Sequence, residues 1–307
     1  MGIGGGMARR TAPSVAAAVS LAGLASLVSG GPGSATTTAR PATITVAPST
    51  VPGLGGTSST YPGWSSGNWS GYAQTSSAPY TSVGATWTVP TVSPSESATY
   101  SATWAGIDGF DRSKATNDSS AGDSNYPLIQ AGTEQDSRYN LTSYAAWWTT
   151  SGFRYIEQPT GEPVRPGDVM ALTICKVGMG GCQPTPGSTC SSSCWAISLR
   201  DVSFPWTFRR TVSYSGTGAS VEWIMEAPGT NGSVSTLARY STFDFDSATA
   251  NGANPRFSTI DQGRMVQSQA SLLGTTATVV SSPSSPDTDT NGFALAYGAK
   301  APAPPKS

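Results

Sequence analysis

Two glutamates four residues apart, Glu222 and Glu226, stand in the stretch Ser220-Val-Glu-Trp-Ile-Met-Glu-Ala-Pro228. Gly216 and Gly218 precede it and Pro228-Gly229 follow, so it reads as a short strand. Strand side chains alternate between faces. Val221, Trp223 and Met225 therefore share one face, an apolar one suited to a core. Glu222, Ile224 and Glu226 share the other, with the two Cα atoms roughly 13–14 Å apart at about 3.4 Å per residue. Charged residues make up 11% of the chain, against roughly 25% in typical soluble proteins. In so charge-poor a chain, two carboxylates on one strand face are either solvated or functional.

What is missing narrows the chemistry further. The 307 residues include no histidine, which excludes Ser-His-Asp and Cys-His catalysis and every histidine-ligated metal site. Of the four lysines, Lys176 adjoins Cys175, and Lys114, Lys300 and Lys306 fall in loops or the tail, a poor basis for a Ser-Lys pair. Carboxylates remain as acids and bases. Besides the two above, those near strands are Asp108, Glu134, Glu157, Asp168, Asp201, Asp244 and Asp246. Asp108 closes Trp104-Ala-Gly-Ile-Asp-Gly109, where alternation puts Trp104, Gly106 and Asp108 on one face and the glycine leaves room for close approach. Gln130 sits between Ile129 and Ala131. A glutamine there is a satisfied core amide or a positioned donor, and by itself the first reading is the commoner one.

The elements that must position these groups are strands. Residues 1–35 read as an export signal, with Arg9-Arg10 ahead of an apolar stretch over 15–28 and small residues ending near Ser34-Ala35. Residues 36–63, rich in Thr, Pro, Gly and Ser, read as a linker or propeptide. From 64 to 298 the pattern is dense in strands, expected at 84–89, 98–107, 126–132, 141–150, 169–177, 194–202, 206–214, 221–225, 266–273, 276–280 and 293–297. That is an all-β domain of the sandwich or barrel type, followed by a frayed tail at 299–307. Export puts the protein outside the cell, where Cys175, Cys182, Cys190 and Cys194 form disulfides. A hairpin flanking the Gly/Pro/Ser-rich loop would nest Cys175–Cys194 around Cys182–Cys190. The net charge of −1 and the lack of a basic run leave no nucleic-acid footprint. No stretch beyond the signal is long and apolar enough to span a membrane. Sequons stand at Asn68, Asn117, Asn140 and Asn231.

Taken together, these segments resemble the glutamic peptidases, the eqolisin-like acid endopeptidases. The resemblance runs in order through Asn68-Trp-Ser-Gly-Tyr-Ala73, Thr86-Trp-Thr-Val-Pro90, Trp104-Ala-Gly-Ile-Asp-Gly109, Leu128-Ile-Gln-Ala-Gly132, Ser143-Tyr-Ala-Ala-Trp147, Pro166-Gly-Asp168 and Val221-Glu-Trp-Ile-Met-Glu226. It implies a lectin-like (concanavalin A-like) sandwich of two large antiparallel sheets. It implies a catalytic pair, Gln130 and Glu222, and cleft or supporting roles for Trp104, Asp108, Glu134, Tyr144 and Glu226. It also implies polypeptide substrates and no metal or organic cofactor; the chain is expected to be a monomer. The polar stretch between Gly109 and Tyr126 and the position of the cysteine cluster depart from the family pattern. Physical chemistry fits the pair to the task. A glutamate with an ordinary pKa of about 4.3 takes a proton from water in acid and returns it to the leaving nitrogen, while a glutamine amide never titrates and donates to an oxyanion. Two rivals remain on sequence grounds: a lectin-like carbohydrate-binding module, and a two-carboxylate glycoside hydrolase, whose acids stand about 5–5.5 Å or 6.5–9.5 Å apart.

Overall fold

Every regular element among the described residues is a strand. The structure, a computed structural model, describes residues 44–45, 61–110, 127–150, 157–230, 233–271 and 274–306. The expected export signal, nearly all of the expected linker or propeptide, and most of the polar stretch before Tyr126 lie outside them. Within residues 36–63, Ile44–Thr45 pairs antiparallel with Trp64–Ser66.

The strand Ser220–Glu226 is central in its layer. It pairs antiparallel with Trp69–Thr75 on one side and Ala102–Ile107 on the other. Ala102–Ile107 pairs in turn with Ile129–Arg138, which pairs with Leu141–Thr150. The second layer runs Trp206–Ser213, Cys194–Asp201, Val169–Lys176, Ser82–Thr88, Phe243–Ala250, Phe293–Tyr297 and Gly274–Pro283. The hairpin of Gln262–Ser271 and Gly274–Pro283 joins the layers, so one hydrogen-bonded sheet is folded over on itself. The register shifts at Met265/Val266 in that hairpin, and bulges of this kind bend a strand. Nearly all pairings are antiparallel, and the result is the expected sandwich. Two long strands go beyond the expected set, Trp69–Thr75 and Phe243–Ala250, along with several of two or three residues.

The alternation expected for Ser220–Glu226 is borne out. Val221, Trp223 and Met225 join the main core between the layers, with Ala105, Ile107, Ile129, Val83, Trp87 and Leu172. Burying a Val or Met side chain is worth roughly 1.5–3 kcal/mol. Indoles tie the layers with hydrogen bonds that bare apolar packing lacks. Trp223 Nε1 donates to the Gly84 carbonyl (3.0 Å) and Trp87 Nε1 to Thr133 Oγ1 (3.2 Å). On the far face of the same layer lies a second, smaller apolar cluster of Trp64, Trp69, Ala73, Ala102, Trp104, Phe110, Leu128, Trp147 and Ile224. The glutamates face this second cluster.

The nested disulfides do not form. Cys175 bonds Cys182 and Cys190 bonds Cys194, each with Cα atoms 5.9 Å apart. Register explains the correction: Cys175 stands opposite Ala196, not Cys194. Gly178, Gly180 and Gly181, all at positive φ, curl the chain so that Cys182 returns to its own strand end.

Candidate active site

Cross-strand register builds the site. Glu222 stands opposite Gly106, and Gly106 stands opposite Gln130. Residues directly opposite share a face. Glu222 and Gln130 therefore point the same way from strands two apart, roughly 10 Å by Cα at about 4.8 Å per strand. The residue between them has no side chain. A Cβ on Gly106 would stand 2.8 Å from the Ile129 carbonyl and 3.1 Å from Gln130 Cβ. Glycine is thus what keeps the space between the two polar side chains open.

Both groups are buried and short of partners. Glu222 is 0% exposed, and neither of its oxygens meets a donor in hydrogen-bond geometry. Gln130 is 6% exposed and its Oε1 is unpaired. On the same face Trp147, opposite Gly132, holds a buried indole N–H with no acceptor. Buried polar atoms are normally satisfied, so such a concentration on one face marks a place built for something else. Burial pushes the Glu222 carboxyl well above the ordinary range. The neighbouring Asp108 charge adds to this, and the nearby Ser220 hydroxyl and Phe110 N–H oppose it. The unperturbed value expected from sequence therefore does not hold.

Glu226, on the same strand face, is well supplied. Its Oε2 accepts from Trp104 Nε1 (2.8 Å) and its Oε1 from Asn68 Nδ2 (3.2 Å). Burial still raises it to about 7, against the pull of Trp104, Trp69 and Asn68. Asn68, a sequon on paper, is fully buried in this role. Glu134 lies in the Glu226 rung, with Ala102 between them. Next to it gather Asp136, two residues along, and Glu157 from beyond the adjacent strand. Burial raises all three. Glu134 sits between the other two, its charge lifting each while their carboxyls hydrogen-bond to it.

Two of the expected supporting residues behave differently from the rest. Asp108 leaves the strand at a φ of 67°. Its carboxylate accepts from Tyr214 Oη (2.7 Å), Gly218 N (2.9 Å), Ala219 N (2.7 Å) and Thr217 Oγ1 (3.4 Å). It anchors the loop that leads into the Glu222 strand. Tyr144 stands opposite Gln135, so alternation turns it to the other face, where its hydroxyl accepts from Val92 N (3.1 Å). It does not join the site. Gly106 and Trp147 as site residues, and Asp136 with Glu157 as partners of Glu134, go beyond the expected set. Only the Glu134/Asp136 spacing of two hinted at a shared face. Among the described residues, no group of three or more carboxylate or thiol side chains is set to hold a metal.

The profile of the Peptidase A4 family matches residues 67–288. The chain belongs to the Peptidase A4 family. It is a peptidase of the glutamic, eqolisin type, and the matched stretch takes in every residue of the site. Among solved structures, the peptidase is similar to scytalido-glutamic peptidase with a transition state analog inhibitor. That similarity is at 18% identity and a TM-score of 0.51, and covers 75% of this chain and 98% of that one. It is also similar to aspergilloglutamic peptidase from Aspergillus niger, at 18% identity, a TM-score of 0.40, and 65% and 99% coverage. At these identities the first likeness shows the shared fold. No curated protein matches in sequence.

Proposed function

We propose that the peptidase is a secreted acid endopeptidase that works through Gln130 and Glu222. The observation that carries this reading is the shared rung: a buried carboxyl and a buried amide on one face, separated only by Gly106 and short of partners within the chain. A water held between them touches both. Glu222, when ionised, takes a proton from that water as it attacks the substrate carbonyl, then hands it to the departing nitrogen. Its raised pKa makes the ionised form a stronger base and the protonated form a resident acid, which suits both halves of the cycle. The Gln130 amide turns its NH₂ toward the oxyanion, a donor worth about 3 kcal/mol in a dry site.

The alternative with two acids finds the carboxylates next to Glu222, along its strand and beside it, already engaged. Asp108 is taken up by four donors and Glu226 by two. The Glu226–Glu134–Asp136–Glu157 group sets the alkaline limit. As pH rises through about 7, Glu226 ionises, and negative charge accumulates along the cleft face beside Glu222. Digestion of an unfolded protein across the pH range, with a pepstatin control, tests the reading. Cleavage should be fastest in acid and insensitive to pepstatin. A rate that peaks above neutrality would sink the mechanism.

Residues 36–63 are proposed to be a propeptide, removed in acid after export. N-terminal sequencing of secreted protein before and after acidification checks this, and an active acid-treated protein that still begins near residue 36 refutes it.

A further inference from the structure

Glu222 is 0% exposed, although its rung offers only Gly106 on one side and Ala73 on the other. Side chains that small do not keep water from a carboxyl. The apolar bulk on this face belongs to the second cluster, where the rings of Trp64 and Phe110 lie 5.2 Å apart, both buried. Phe110 stands at the Glu222 end. Its N–H donates to Ser220 Oγ (3.2 Å) and is close enough to Glu222 to oppose the rise of that carboxyl.

Trp64 is fixed in place from several sides. Its strand, Trp64–Ser66, adds in parallel to Gln262–Ser271, with Trp64 opposite Gly263. A Cβ at Gly263 would collide with the Trp64 ring, so glycine is what lets the indole lie against this strand. Trp64 Nε1 donates to the Asp261 carbonyl (2.7 Å), and the same carbonyl accepts from Ala73 N (3.0 Å). One oxygen thereby ties Trp64 to the residue opposite Glu222. Just ahead in the chain, the Arg264 guanidinium sits over the Tyr61 ring, 3.7 Å from its centre. The family profile begins at residue 67, so this anchored indole lies ahead of the matched stretch.

We propose that Trp64 is a positioning residue of the peptidase: together with Phe110 it roofs Glu222 and keeps water from its carboxyl. The proposal rests on Glu222 being the base. Burial disfavours the charged form of a carboxyl, and so makes the ionised group a stronger base. The ionisable groups that face Glu222 are Asp108, from the end of the strand Ala102–Ile107, and Tyr80, from the segment before Ser82–Thr88. Glu226 lies four residues along the same strand. Trp69–Thr75 presents Gly71 and Ala73 to this face and Ile129–Arg138 presents Gln130, none of which titrates. None of these groups is a cation, and desolvation is the largest influence on the Glu222 carboxyl. A cut that frees a propeptide must therefore fall ahead of Trp64.

The test is NMR titration of the full chain labelled with ¹³C at the glutamate carboxyls, beside a pH–rate profile on an unfolded protein. The Glu222 signal is assigned by its loss in Glu222→Gln. Its midpoint should lie well above the ordinary value in the wild type and drop by at least about one unit in Trp64→Ala. Phe110→Ala, on the other half of the roof, should move it the same way. The Glu226 midpoint, at about 7, should stay. In the rate profile of Trp64→Ala the acid limb should move to lower pH while kcat falls about three- to tenfold. A merely structural defect lowers the rate equally at every pH. Where Trp64→Ala does not fold, Trp64→Leu carries the same measurement. The proposal is overturned by a wild-type Glu222 midpoint at the ordinary value. It is equally overturned by a midpoint or an acid limb that does not move in the folded Trp64 variant. Turnover retained by Glu222→Gln overturns instead the reading beneath it, a result distinct from an unmoved midpoint.

Discussion

Glu222 and Glu226 lie on one face of one strand, four residues apart, and the protein treats them in opposite ways. Around Glu226 the fold supplies donors: an indole from the neighbouring strand and a buried amide. Around Glu222 it supplies space. The residue opposite is glycine, and neither oxygen meets a donor in hydrogen-bond geometry. Both carboxyls are raised by burial, but only one is left with unused hydrogen-bonding capacity. Asp108 sharpens the contrast. It is as buried as either and carries four hydrogen bonds, one for each task of holding a loop in place. A carboxylate with its donors satisfied is a structural part. One denied them, beside an unpaired amide, is available for chemistry.

The largest effect should come from Glu222→Gln. Cleavage of an unfolded substrate in acid is expected to fall by at least about 10³-fold, at the upper range for a group that serves as both base and acid. The fold should persist with a Tm no lower than wild type, because a costly buried carboxyl is replaced by a neutral isostere. Retained turnover would mean the two glutamates have been assigned the wrong way round. Next is Gln130→Ala, for which kcat should drop by about 10²–10³-fold. If instead the variant loses most of its stability and the activity per folded molecule is unchanged, Gln130 is a core amide.

Asp108→Ala should be the mirror image. Stripping a buried carboxylate from its donors is expected to cost about 3 kcal/mol or more in stability, measured by denaturant unfolding. Activity should be lost in proportion to the unfolded fraction. A stable variant with a large kcat defect would move Asp108 into the chemistry.

The pH dependence of stability comes next in size. For carboxyls raised in the folded state, the stabilisation is complete below the unfolded value and is lost as pH rises through the folded one. For Glu226 the window runs from the ordinary 4.5 to about 7, worth about 3 kcal/mol at most. Tm should therefore fall from acid toward neutral pH, and Glu226→Gln should flatten that slope. A Tm that rises over the same range contradicts the burial argument. The smallest effect expected is that of Trp104→Phe. It removes one charge-assisted donor from Glu226, at a cost of about 1.5–3 kcal/mol when that carboxyl is ionised and less in acid.

Much of this was legible in the chain itself. The absence of histidine left carboxylates as the leading acids and bases, and period-two alternation sorted Trp223 and Met225 from Glu222 and Glu226. Strand density gave the all-β class, and the motif order pointed to the family. These are local properties, set by covalent order and by the two-residue repeat of a strand.

Other features were decided only by tertiary structure. Register made Gln130 and Glu222 neighbours across Gly106, although 92 positions of sequence separate them. It turned Tyr144 away and set Cys175 opposite Ala196, which broke the nested disulfides. The positive φ of Asp108 took it off the expected face. The group of Glu134, Asp136 and Glu157 assembled from two segments. Sequence specifies which face a side chain occupies on its own strand, because that needs only the pleat. Which side chains meet across strands depends on pairing register, a long-range choice settled by the burial of both faces at once.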